Sequence, residues 1–134
     1  MSIRALPLLV FAFVLYNAIV LLVGEDALGR EIFELRLLSG GLWKFTWGDL
    51  VLLVTLVLLF VEIVKSTTTT TSTLIDHALS MVVFMAVGAE FLIVPQAATS
   101  VFFLILVATL IDVIGGYTIG IRVARRDLNI GADQ

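Results

Sequence analysis

The sequence predicts an all-α membrane protein: a bundle of four transmembrane helices with a short outer β-hairpin between the first and second. Three observations lead there. In 134 residues, 60% are hydrophobic and 14% charged, against about 45–50% and 25% in an average soluble domain, and mean hydropathy is +1.15. Four apolar stretches have membrane length. Between the first two, apolar and polar residues alternate on either side of a glycine pair. A water-soluble chain this short could not cover so much apolar surface with so few charges. With a net charge of −3 and no cysteine, a basic nucleic-acid-binding face and a disulfide scaffold are excluded too. Lipid is the expected surrounding for a single integral domain over 1–134.

The first span covers about residues 5–24 without a charge from Ala5 to Gly24, which is about 30 Å of helix and enough to cross. Its apolar run is too long for a cleaved signal peptide and no A-x-A-like site follows. The second covers about 49–65 and carries Glu62 near its end; the third covers about 74–94, the fourth about 99–124. Pro95 interrupts the apolar run between the last two, and Thr99 or Ser100 can cap the fourth helix. Thr73 and Asp76 have the spacing of a capping box at the start of the third.

The outer loop, 25–48, holds Phe33, Leu35 and Leu37 alternating with Glu34 and Arg36, then Trp43, Phe45 and Trp47 alternating with Lys44 and Thr46. Period-two alternation around Ser39-Gly40-Gly41 predicts a hairpin. A helix over Leu28–Leu38 is the rival, since Leu28, Ile32 and Leu35 would share a face. Phe33, Leu35, Trp43, Phe45 and Trp47 are the expected interface residues, lying on the outer leaflet, the helices or a partner. Thr67–Thr71 form a polar tract between the second and third spans.

Lys and Arg set the orientation. Arg4, Lys65, Arg122, Arg125 and Arg126 fall on one side, and Arg30, Arg36 and Lys44 on the other. We therefore expect both termini in the cytoplasm of a cell whose inner membrane is of the bacterial kind. The arginines after the fourth span suit anionic lipid headgroups.

Carboxylates inside spans cost about 2.5–3.5 kcal/mol each at a helix centre and by default mark function. Glu62, Glu90 and Asp112 are the candidates for ion or proton binding. Asp76, Ser80, Val83, Val87 and Glu90 share one face of the third helix; Thr109, Asp112 and Gly116 share one on the fourth; Thr55 and Glu62 share one on the second. If these faces converge, Asp76, His77, Lys65 and Arg122 form a polar cluster at the inner mouth beside Glu62 and Asp112. Glu90 would sit near Tyr16 and Asn17, which could bond it. The structural alternative for Glu62 is the interface beside Lys65, and for Asp112 a paired or neutral carboxyl. Gly115, Gly116 and Gly120 are expected to let helices pack closely.

The span order and Gly41-Leu42-Trp43 loosely resemble the claudin-type tetraspan proteins, but the paired cysteines of that pattern are missing, so nothing is carried over. The small multidrug resistance family has four short helices with a glutamate in the first; this first span has none. With one histidine and no cysteine, hydrolase, P-loop and zinc-protease motifs are absent, and no cofactor or metal is expected. The expected function is a non-catalytic membrane subunit or homo-oligomeric scaffold, its partners the lipid bilayer and copies of itself or other membrane subunits, without nucleic acid. The alternatives are a proton- or cation-coupled transporter or channel using Glu62, Glu90 and Asp112, and a lipid or quinone enzyme using His77 with Asp76.

Overall fold

The computed structural model describes residues 6–67 and 71–132. In chain order it comprises α1 (Leu9–Leu22), a 3-10 turn (Glu25–Gly29), β1 (Glu31–Arg36), β2 (Leu42–Thr46), α2 (Trp47–Lys65), α3 (Thr71–Ile93), a 3-10 turn (Pro95–Ala97) and α4 (Ser100–Ala132). Trp47–Lys65, Ile75–Ile93 and Ser100–Ile119 are each long and apolar enough to cross a membrane. α1 is apolar but shorter than the expected first span. At 14 residues it is about 21 Å long. Pro7 stands just ahead of it, where a residue without an amide proton suits a helix start but not a helix interior.

Each boundary has a local cause. Thr46 caps α2: its side chain accepts from the Asp49 N–H at 3.2 Å while Asp49 accepts from the Thr46 N–H at 3.1 Å. This capping box starts α2 at Trp47, two residues ahead of the sequence-based start. Thr99 caps α4, accepting from the Phe102 N–H at 3.1 Å. α3 is already helical at Thr71, so Thr73 lies inside the helix and does not cap it; threonine costs a helix interior under about 1 kcal/mol. Of the threonine tract, 68–70 lie outside the described residues. α4 runs to Ala132, well past the expected end near 124, because nothing in its arginine-rich tail breaks a helix.

The loop is a hairpin, and the helical alternative over Leu28–Leu38 is excluded. β1 and β2 pair antiparallel, with Phe33 opposite Phe45, Glu34 opposite Lys44 and Leu35 opposite Trp43. Gly40 takes φ 90° in the turn, a region open to glycine at little cost.

α4 is the central helix. It packs on α3 and α2, α2 packs on α1, and α1 touches α3 least. The main core gathers Tyr16, Val20, Leu28, Val51, Val87, Ala97, Phe102 and Ile105, and a smaller one gathers Leu9, Leu59 and Ala108. Gly48 lets α2 approach closely: a Cβ there would stand 3.1 Å from both the Leu28 carbonyl oxygen and Val101 Cγ2.

Candidate functional site

The polar residues of α2, α3 and α4 converge at the end of the bundle away from the hairpin. Glu62, Lys65, Ser66, Asp76, His77, Ser80, Asp112 and Gly116 line one pocket. Its volume is about 10 Å³, room for about one water. The faces read from helical periodicity therefore meet as expected: Glu62, Asp76, His77 and Asp112 are together, with Lys65 beside them. Arg122 is the exception. It lies ten residues beyond Asp112, about 15 Å along the helix, and is exposed outside the pocket.

Every helix contributes a bond here. Glu62, 6% exposed, accepts from the Leu8 backbone N–H at 2.6 Å and from Lys65 Nζ at 3.2 Å. Lys65 also donates to the Leu6 carbonyl at 3.3 Å. The first amides of a helix lack internal partners, and a carboxylate there also complements the helix dipole. Glu62 thus ties the start of α1 to the end of α2. Asp112, 5% exposed, accepts a side-chain hydrogen bond from Ser80, tying α4 to α3. His77 packs on α4, edge-on to Tyr117 with ring centroids 5.9 Å apart. Asp76 Oδ1 and His77 Nε2 are buried in this region without a hydrogen-bond partner.

The glycines divide. A Cβ at Gly116 would meet His77 Cε1 at 3.3 Å and Ser66 Cβ at 3.8 Å, so its lack of a side chain seats α3 on α4. Gly115 has nothing within 4 Å of such a Cβ and makes no close packing within the chain, because it is turned about 100° from Gly116. The packing of Gly120 lies outside the described residues.

Glu90 is not part of this pocket, and among the described residues no continuous polar track joins the two. Thr55 and Thr109, which share buried faces with Glu62 and Asp112, donate to carbonyls of their own helices, Val51 at 2.7 Å and Leu106 at 2.6 Å. Val51, Val87, Phe102 and Ile105 fill the space beyond them. Glu90 faces instead a groove of about 430 Å³ between α1 and α3, lined also by Asn17 and Ala18. Its Oε2 is buried without a partner. The expected bonds to Tyr16 and Asn17 do not form, since both have nearer partners. Asn17 donates to the Phe13 carbonyl at 3.0 Å. Tyr16 donates to the Gln96 carbonyl at 2.8 Å; with its one proton so used, Thr99, 2.7 Å away, must donate to it. Composition could not reveal this bond, which locks α1 to the α3–α4 turn.

At the hairpin, Phe33 stacks on Phe45 with centroids 5.0 Å apart, and Trp43 stands edge-on to Phe33 at 5.6 Å and to Phe45 at 5.8 Å. Leu35, on the same face, is exposed, as are Phe33 and Trp43. Trp47 does not belong to this cluster. As the first residue of α2 it lies near Ile19, Val23, Ala27 and Arg30, because the capping box turns the chain out of β2 before it.

Among the described residues no group of three histidine, aspartate or glutamate side chains is placed to hold a metal ion. Comparison with protein-family models, curated proteins and solved structures finds no match to this chain.

Proposed function

We propose that the chain is a non-catalytic, homo-oligomeric membrane scaffold, with α1 as a fourth span, both termini in the cytoplasm of a bacterial-type inner membrane, and the hairpin outside. One observation carries this reading: two of its three intramembrane carboxylates tie helices together. Glu62 joins α2 to α1 and Asp112 joins α4 to α3, and an apolar layer stands between them and Glu90. Meanwhile the hairpin's aromatic face and the α1–α3 groove are left uncovered by the chain itself. Such uncovered faces suit assembly. Native mass spectrometry of the protein released from mild detergent tests the reading; a strictly monomeric mass at all concentrations overturns it.

A second reading rests on the inner pocket. Three carboxylates (Glu62, Asp76 and Asp112) share it with one lysine and one histidine, and Asp76 Oδ1 and His77 Nε2 lack partners. A proton would complete the set, making this the binding step of a proton-coupled transporter or channel with Glu90 at the outer end. In proteoliposomes, proton flux that is lost in Asp112→Asn and Glu62→Gln supports this reading, and flux unaltered in both defeats it.

A further inference from the structure

We propose that the outward face of α1 is the contact between two copies of this chain, held by reciprocal ion pairs from Glu90 of one copy to Arg30 of the other. The inference rests on the homo-oligomer reading above and names the surface. Three independent observations lead to it.

First, each charge lacks its complement among the described residues. Glu90 has a buried oxygen with no partner, and Arg30 is exposed with no ion pair, the Glu62–Lys65 pair being the salt bridge found among the described residues. Both lie toward the hairpin end of the molecule, Glu90 within one turn of the end of α3 and Arg30 just before β1.

Second, they flank α1 on opposite sides. Phe13 and Asn17 line the Glu90 groove and border the buried face of α1 on one side; Ile19 and Val23, near Arg30, border it on the other. Val14, Ala18, Leu21 and Leu22, which also line the Glu90 groove, form the outward face of α1 between the two flanks. Copies inserted the same way round can form a closed pair only about a twofold axis along the membrane normal. When two α1 helices face each other about that axis, the left flank of one meets the right flank of the other. Glu90 of each copy then lies opposite Arg30 of its mate, twice over.

Third, α1 is too short to be comfortable against lipid. Its length of about 21 Å falls short of a hydrocarbon core of about 30 Å, and oligomerisation is one way a short helix avoids that mismatch. Ala18 in the middle of the outward face allows close approach.

Charge reversal decides the matter. Energy transfer between labelled copies in proteoliposomes reads the dimer, and melting in detergent reports folding. Glu90→Arg and Arg30→Glu should each weaken self-association at least tenfold, and the double reversal should restore it. Because the chain has no cysteine, Ala18→Cys should give a disulfide-linked dimer in membranes treated with a thiol oxidant, and Glu90→Gln should lower its yield should the reversals fold poorly. Self-association unaltered by either reversal, or no rescue in a folded double variant, overturns this interface while leaving the scaffold reading in place. A wild-type monomer overturns both.

Discussion

Glu62 caps a helix to which it does not belong: its Oε1 lies 2.6 Å from the Leu8 backbone nitrogen, 54 residues away in sequence. The same oxygen accepts from Lys65 at 3.2 Å. A carboxylate that is costly inside a membrane is thereby held by two donors, one of them charged.

Removing that carboxylate should loosen α1. Glu62→Leu leaves the Leu8 N–H and the Lys65 ammonium without this acceptor, which should cost about 2–3 kcal/mol. Glu62→Gln keeps an acceptor oxygen and should cost about half as much. Thermal unfolding in detergent gives the ranking, and hydrogen exchange at residues 8–11 should rise in Glu62→Leu before the rest of the bundle opens.

Gly115 and Gly116 should respond in opposite directions. Gly116→Ala places a Cβ 3.3 Å from the His77 ring, and overpacking of this kind costs about 1–3 kcal/mol. Gly115→Ala meets nothing and should stabilise by up to about 1 kcal/mol through helix propensity. Adding His77→Ala should cancel most of the Gly116→Ala penalty, a coupling that melting of the double variant reads directly.

Tyr16→Phe keeps the edge-on packing against Phe102, where centroids lie 4.9 Å apart, but leaves the part-buried Gln96 carbonyl without this donor. The expected loss is about 1–2 kcal/mol. Faster hydrogen exchange at Phe102 and Phe103 should accompany it, since Thr99, the cap of α4, loses its own acceptor.

Trp43→Ala should dismantle the ring cluster of the hairpin. Loss of its contacts to Phe33 and Phe45 should cost the hairpin about 1 kcal/mol, seen in the near-ultraviolet circular dichroism. The bundle's melting temperature should change little, because the strands lie outside its core.

The chain's two lysines report its orientation. Lys44 is exposed on β2, and Lys65 lies at the opposite end of α2. A membrane-impermeant amine reagent applied to intact cells should modify Lys44 and spare Lys65. The reverse pattern would invert the proposed topology.

Composition and periodicity were sufficient for the apolar helices, the hairpin and the convergence of Glu62, Asp76, His77 and Asp112, because helical faces and strand alternation are local properties written into residue spacing. Sequence alone determined that this chain presents more apolar surface than a chain of its size can bury, and that Glu62, Glu90 and Asp112 fall within its apolar stretches. Tertiary structure decided what those acids do. Glu62 meets Leu8 and Asp112 meets Ser80 only because α1, α2, α3 and α4 pack in one particular arrangement, and the Gln96 carbonyl takes the Tyr16 proton away from Glu90 for the same reason. Spacing fixes which face a side chain occupies; the partner across the interface depends on distances between helices, which no local pattern encodes.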